Sequence, residues 1–263
     1  MILLPQVLDQ LKAAVMETGQ FIRQEASIFK KDQIEHKGFN DLVSYVDKEA
    51  ELQLVSACKN ILPEAGFITE EGTDNTQQDE YNWIIDPLDG TTNFAHGLPV
   101  FAISIALMKQ TEIVLGMVYE INRDECFYAI EGQEAFCNDK PIRVSKAEYL
   151  KDSLLATGFP YYNFEQMPKY LSILDQFMQT THGLRRMGSA AVDLCYVACG
   201  RFEGFFEYNL NAWDVAAGAF IVQQAGGQVS DFAGNDNFIF GREIVAANSV
   251  HPEMLGVIKK HWD

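Results

Sequence analysis

Between residues 4 and 29 apolar side chains return every three or four positions: Leu4, Val7, Leu8, Leu11, Val15, Phe21 and Ile22. That spacing predicts an amphipathic helix. Val46, Ala50, Leu54, Ala57 and Ile61 predict a second helix over residues 44–61, and the polar stretch "HKGFND" between the two reads as a loop. "AGFITEE" predicts a short strand ending in two acids, "TDNTQQDEY" a loop and "NWIID" a strand. From residue 101 to 144 the period changes. "FAISIALM", "EIVLGMVYEI", "ECFYAI" and "QEAFCN" are rich in strand formers and separated by short polar turns, the pattern of an antiparallel meander. Helices and strands then alternate: "SLLATGF" a strand, 163–179 a helix, 189–199 a helix after "GLRRMG", "EGFFEY" a strand and 213–225 a helix. A turn and strand at "GGQVSDF", a strand at "EIVAAN" and a helix over 251–262 close the chain. Helices and sheets stacked in layers would bury both sheet faces of such a set of elements. The change of pattern near residues 145–150 predicts two intimate halves, 1–147 and 148–263, with a site between them.

Composition narrows the function classes. The chain has 263 residues, 48% hydrophobic and 22% charged, ordinary for a globular protein with a substantial core. No apolar run approaches the roughly 18 residues that suggest a bilayer span. The start, "MILLPQVLDQLK", lacks the basic opening of a signal peptide and reads as helix, which gives a cytoplasmic expectation. Twenty basic against 37 acidic residues leave a net charge of −17, which disfavours nucleic acid and anionic membranes as partners. A phosphorylated substrate fits this charge only where bound cations reverse the local sign. The five cysteines, 58, 126, 137, 195 and 199, match no zinc spacing and read as reduced core residues.

"DPLDGTTNF", residues 86–94, is the stretch that carries chemistry. Asp86 is expected to end its strand, because Pro87 cannot donate to a ladder. Asp89 then turns back toward Asp86, the carbonyl of Leu88 is offered as a ligand, Gly90 permits close backbone approach, and Thr91, Thr92 and Asn93 suit a helix start with free amides for an anion. Carboxylates beside amides suit Mg²⁺ and phosphate. Glu70 and Glu71 follow a strand, and Asp214 in "NAWDVAAG" opens a helix whose Ala216, Ala217 and Gly218 allow close packing. Three acid signals at strand ends and a helix start point to a site at the carboxyl ends of strands. The D-x-x-D spacing departs from the D-x-D-x-T of aspartyl phosphatases, which keeps both acids on one strand face. Neither an EF-hand, a P-loop nor a dinucleotide glycine fingerprint is present.

"DPLDGTTNF", with "EE" upstream and "WDVAAG" then "AGG" downstream, resembles the inositol monophosphatase family, lithium-sensitive, magnesium-dependent phosphomonoesterases, and the match in order and spacing covers nearly the whole chain. The resemblance implies an α+β fold, a five-layered αβαβα sandwich, commonly a homodimer. It implies two or three Mg²⁺ per site, held by Glu70, Asp86, the Leu88 carbonyl, Asp89 and Asp214. Thr91 and Asp47 would activate water, with Glu70 completing the catalytic set and Glu71 supporting it. Read without the family, Asp47 is a surface helix acid. Asp89, Gly90, Thr91, Gly188, Ser189, Ala190 and Glu207 are the implied substrate contacts. Lys37 is placed near metal or phosphate, whereas Arg185 and Arg186 read as structural or interface ion pairs. The implied activity is hydrolysis of inositol 1-phosphate or a related polyol or sugar monophosphate. Fructose 1,6-bisphosphate, histidinol phosphate, glycerol phosphate and NADP remain alternatives, and "GTTNF" disfavours a nucleotide 3′-phosphate. A regulatory binding protein on the same scaffold is the competing class.

Overall fold

A computed structural model describes residues 2–29, 35–38, 41–160 and 163–262, with 35–38 and 41–43 as backbone only. Helix α1 (Leu4–Ile28) buries Val7, Leu8, Leu11, Val15 and Ile22, the stripe its period demands. A hairpin of β1 (Glu35–Gly38) and β2 (Asp41–Val43) replaces the loop expected from "HKGFND". Its residues are too polar to advertise a strand, and pairing with each other supplies the ladder. Helix α2 (Tyr45–Ile61) starts at Ser44, whose hydroxyl accepts the Val46 N–H at 3.1 Å.

The large sheet follows. Its strands are β3 (Gly66–Thr69), β4 (Tyr81–Asp89), β5 (Ala102–Lys109), β6 (Glu112–Glu120), β7 (Glu125–Ile130), β8 (Phe136–Cys137) and β9 (Lys140–Pro141), neighbouring in chain order. A short helix α3 (Thr91–His96) intervenes between β4 and β5. Only the β3–β4 pair is parallel; the rest is the expected meander. Pro87 does not end its strand. β4 runs on to Asp89 through a bulge, pairing Asp86 with Ser104 and Asp89 with Ala102. A bulge needs no ladder donor at the extra residue, so proline is tolerated there.

The second sheet mixes β10 (Leu154–Thr157), β11 (Gly183–Arg185), β12 (Gly204–Tyr208), β13 (Gln228–Ser230) and β14 (Glu243–Ala247), in the order β11-β10-β12-β14-β13. Its helices are α4 (Met167–Thr180), α5 (Ala190–Ala198), α6 (Ala212–Gln224) and α7 (His251–Trp262). α4 starts four residues later than its pattern suggested, with a proline in its first turn, where the missing N–H costs nothing. Strand β11 lies inside "GLRRMG", too short and too charged to be read from alternation.

Three apolar cores separate five layers. α1 and α2 cover one face of the large sheet around Leu11, Leu54, Trp83 and Ile105. α5 and α6 fill the space between the sheets with Ile84, Ala106, Val118, Leu194, Phe205 and Ile221. α4 and α7 cover the outer face of the second sheet around Leu155, Phe177, Phe206 and Met254. The architecture is thus the αβαβα sandwich. Along β5, Ile103, Ile105 and Leu107 face the first core while Ala102 and Ala106 face the second, the period-two alternation of a sheet covered on both sides.

The middle layer is thin because its contacts are small. A Cβ at Gly116 of β6 would lie 2.8 Å from the Ala217 carbonyl oxygen and 3.2 Å from its Cα, so α6 rests almost on the sheet backbone. Gly116→Ala should therefore lower stability by about 1–3 kcal/mol, the usual cost of overpacking. A urea melt reads this as a lower midpoint, and an unchanged midpoint would show that α6 shifts without cost.

Candidate functional site

The parallel pairing of β3 with β4 sets Thr69 beside Ile85, so the next residues, Glu70 and Asp86, emerge together at the carboxyl end of the pair. The Glu70 N–H donates to the Ile85 carbonyl at 3.2 Å, and the Glu70 and Asp86 carboxyl groups hydrogen-bond each other. The bulge after Asp86 turns Asp89 to the same side, and the Leu88 N–H donates to Asp86 Oδ1 at 2.9 Å. Ser104, opposite Asp86 in the ladder, donates its hydroxyl to the Trp213 carbonyl at 3.1 Å. That bond anchors the first turn of α6 against the sheet and brings in Asp214. Asp214 is further fixed by the Asn211 N–H, 2.6 Å from its Oδ2. Asp89 Oδ2 accepts from the Ser189 hydroxyl and the Ala191 N–H, both at 2.7 Å, at the start of α5.

Asp86, Asp89 and Asp214 each bring one carboxylate oxygen within 4.8 Å of the others. Burial, then the charges of Glu70, Asp89 and Asp214, push the Asp86 carboxyl well above its ordinary range. Burial pushes Asp214 up to about 7 and Asp89 up to about 6. Arg186 acts favourably on Asp89, and Arg242 on Asp214, but the strongest neighbours of Asp86 are all acids. Oxygen-only donors crowded against their own repulsion fit a hard divalent cation such as Mg²⁺ and supply no nitrogen or sulfur for zinc. Asp86, Asp89 and Asp214 lie close enough together to share such an ion, and the Glu70 carboxyl lies beside Asp86.

Thr91 begins α3 beside this cluster. Its Oγ1 lies 2.9 Å from Asp47 Oδ1 and 3.0 Å from the Leu88 carbonyl oxygen, and its one proton goes to the carboxylate, the stronger acceptor. Asp47, read from sequence as a surface acid, is fully buried. Its other oxygen accepts the Ser44 N–H and hydroxyl at 2.9 and 2.6 Å. Burial raises the Asp47 carboxyl, and the Ser44 and Thr91 bonds oppose that. Gly90 is required between the two functions: its φ is +99°, and a Cβ would meet the Val100 carbonyl oxygen at 2.9 Å.

Beyond the acids opens a cleft of about 350 Å³, lined by Asp89, Asp214, Ala190, Glu207, Arg186 and Trp213 among others. That volume suits a small molecule. Glu207 is buried in β12 against Gly158, where any Cβ would collide with its carboxylate. Burial pushes its carboxyl up to about 8, Arg186 pulls it down, and Asp214 and Asp89 push it further up. Gly188 and Ala190 line the cleft, but the Ser189 hydroxyl is committed to Asp89 and serves α5 by accepting the Val192 N–H. Glu71 lies beside Glu70 with its N–H on Glu51, and Lys37 lies in β1, whose side chains fall outside the described residues. Arg186, read from sequence as part of a structural or interface ion pair, lines the cleft. Asp193 and Glu51 escaped sequence reading altogether. Asp193 is buried in the cleft wall, and its Oδ1 has no hydrogen-bond partner among the described residues. Glu51 repeats Asp47 one helical turn on, and that i,i+4 spacing was its only signal.

Among the described residues no helix is long and apolar enough to cross a membrane. A family model described as the inositol monophosphatase family matches residues 4–263. The chain is 46% identical over 250 residues to a protein of Neisseria meningitidis named putative Nus factor SuhB, covering 94% of this chain and 96% of that one. It is 38% identical over 256 residues to an inositol-1-monophosphatase of Mesorhizobium japonicum, covering 97% and 96%. The crystal structure of the extragenic suppressor protein suhB from Bartonella henselae superposes with a TM-score of 0.92 at 39% identity, over 97% of this chain and 99% of that one. With the model matched from end to end and the sandwich reproduced, the chain belongs to the inositol monophosphatase family.

Proposed function

We propose that the protein is a Mg²⁺-dependent phosphomonoesterase that hydrolyses inositol 1-phosphate or a related polyol or sugar monophosphate. One observation carries this reading: acids from distant parts of the chain converge at the mouth of a cleft that holds a further buried carboxyl, Glu207, in its wall. Two or three Mg²⁺, when bound, would supply charge neutralisation for the phosphoryl oxygens and lower the pKa of a water molecule. Glu70, Asp86, the Leu88 carbonyl, Asp89 and Asp214 hold the ions. The Thr91 hydroxyl donates to Asp47 and so presents its oxygen lone pair to a water proton, orienting the attacking oxygen. The amides of Gly90 and Thr91 face the phosphate, and Glu207 hydrogen-bonds the polyol hydroxyls. The same family reading gives lithium sensitivity, a homodimer, a cytoplasmic location and two halves, 1–147 and 148–263. Phosphate release from a panel of polyol, sugar and nucleotide monophosphates that also includes fructose 1,6-bisphosphate, histidinol phosphate and NADP, with and without Mg²⁺ and Li⁺, tests it. Release confined to a bisphosphate, histidinol phosphate or NADP would move the substrate within the superfamily, and no Mg²⁺-dependent release from any would end the proposal.

A second reading is favoured by the name of the 46% identical relative, putative Nus factor SuhB. On this reading the chain binds a protein partner of the transcription apparatus, and the cleft is secondary. Its net charge of −17 argues that such a role proceeds without direct nucleic-acid contact. Asp86→Asn separates the two, since a role in catalysis is lost with that carboxylate and a docking role is not.

A further inference from the structure

Glu51 is fully buried in α2, one turn after Asp47. A buried carboxylate is costly unless both oxygens are satisfied. Here Oε2 accepts the Glu71 N–H at 2.7 Å and Oε1 accepts the Thr73 N–H at 2.8 Å, partners 20 and 22 residues further along the chain. Both amides belong to the segment that leaves β3 immediately after Glu70. At its far end the same segment is tied to the last turn of α2, where Lys59 pairs with Asp74 at 2.7 Å. The Glu70 N–H is fixed to the sheet by Ile85, but the chain beyond it has left the ladder, and Gly72 turns at φ +75°. Without Glu51 the two amides would turn to water, and the backbone that carries Glu70 would lose two of its ties to α2.

One helix therefore governs both flanks of the acid cluster. Through Asp47 it holds Thr91 and, beside it, the Leu88 carbonyl; through Glu51 it holds the backbone that carries Glu70. We propose that Glu51 is a positioning residue that sets the metal affinity of the site by fixing the segment 70–73 against α2. The proposal rests on reading the acid cluster as a metal site. It assigns Glu51 no contact with metal or substrate.

The test is Mn²⁺ titration of the full chain, with free ion read by electron paramagnetic resonance and Mg²⁺ added as competitor. Glu51→Gln keeps the size and one acceptor oxygen but turns an amide N–H onto a backbone N–H. Its Mn²⁺ affinity should fall about 10- to 100-fold, the usual loss when a group that orients a metal ligand is altered. Activity should be recovered by raising Mg²⁺, so the metal requirement moves and kcat does not; a loop that is only a structural tie would lower the melting temperature without that shift. Equal Mn²⁺ affinity in the folded variant would overturn the role of Glu51 alone. Failure of the unaltered protein to bind Mn²⁺ would overturn the metal-site reading, and this proposal with it. Hydrogen exchange on the unaltered protein supplies a measurement that no folding defect can spoil. The Glu71 and Thr73 amides should be protected, and exchange at the rate of an open loop would refute the tie.

Discussion

Asp86→Asn is expected to lower Mg²⁺-dependent phosphate release by at least about a thousandfold, roughly 4 kcal/mol of barrier, while leaving the metal-free protein as stable as before or more so. The two halves of that result have one cause. Asp86 is 1% exposed, and its dominant neighbours are the acids Glu70, Asp89 and Asp214, so its charge is disfavoured twice, by burial and by repulsion. Asparagine has the same shape, keeps an oxygen for the Leu88 N–H and offers an N–H to Glu70. What it loses is the negative charge shared between the proposed cations. Turnover and thermal melting, each with EDTA and with Mg²⁺, check this. In the unaltered protein Mg²⁺ should raise the melting temperature markedly, and in the variant it should raise it little. A variant with near-normal turnover would refute the assignment. This opposition between stability and activity is expected wherever a site stores unfavourable charge.

The acids of the cluster were legible because they recur together at element junctions, although Asp214 alone reads as an ordinary first-turn acid and does accept the Asn211 N–H there. Glu70 follows the end of β3, Asp86 precedes the bulge of β4, and Asp214 lies in the first turn of α6. Most elements were legible for the ordinary reason that their apolar pattern matches their burial: the one-sided stripes of α1 and α7 and the unbroken apolar run of β5, buried on both faces, are clear cases. What escaped depended on geometry across distant segments. Nothing local marks Asp47 as buried; its capping box with Ser44 was readable as S-x-x-D, but that motif is equally at home on an exposed helix. Glu51 looked like any polar helix residue until the segment 71–73 was seen folded onto it. Arg186 was read by its sign and its arginine neighbour, and only the fold sets it between Asp89, Asp193 and Glu207. Pro87 misled for the opposite reason. Its missing N–H does forbid a regular ladder, and the chain answered with a bulge, which is what aims both aspartates the same way.

Stability in EDTA is expected to fall as pH rises from about 5 to about 8, and Mg²⁺ should reduce that fall. Asp86, Asp89, Asp214 and Glu207 are raised in the folded protein, chiefly by burial, with Asp89 near 6, Asp214 near 7 and Glu207 near 8, and burial also raises Asp47, Glu120, Asp193 and Glu243. Their unfolded values are close to 4. An acid raised on folding holds its proton more tightly in the native state. Its contribution is complete below the unfolded value and disappears as pH climbs through the folded one. Asp74, Asp124 and Glu125 behave oppositely, held low by Lys59, Tyr119 and Arg201, so their effect changes only below the ordinary carboxylate range and is constant above about pH 5. The net slope above pH 5 is therefore set by the raised acids, the cluster, Asp193 and Glu207 foremost, while His251, held low by burial, opposes it only up to its ordinary range. It should amount to a few kcal/mol, or roughly 5–10 °C in melting temperature for a chain of this size. Cations bind the deprotonated carboxylates, so the Mg²⁺-induced rise in melting temperature should be small at the acid end and grow with pH. Melts recorded across this range with EDTA and with Mg²⁺ decide it. A flat or rising EDTA curve would mean that these carboxyls are already ionised and paired in the folded protein, and the charge that a cation is proposed to relieve would not exist.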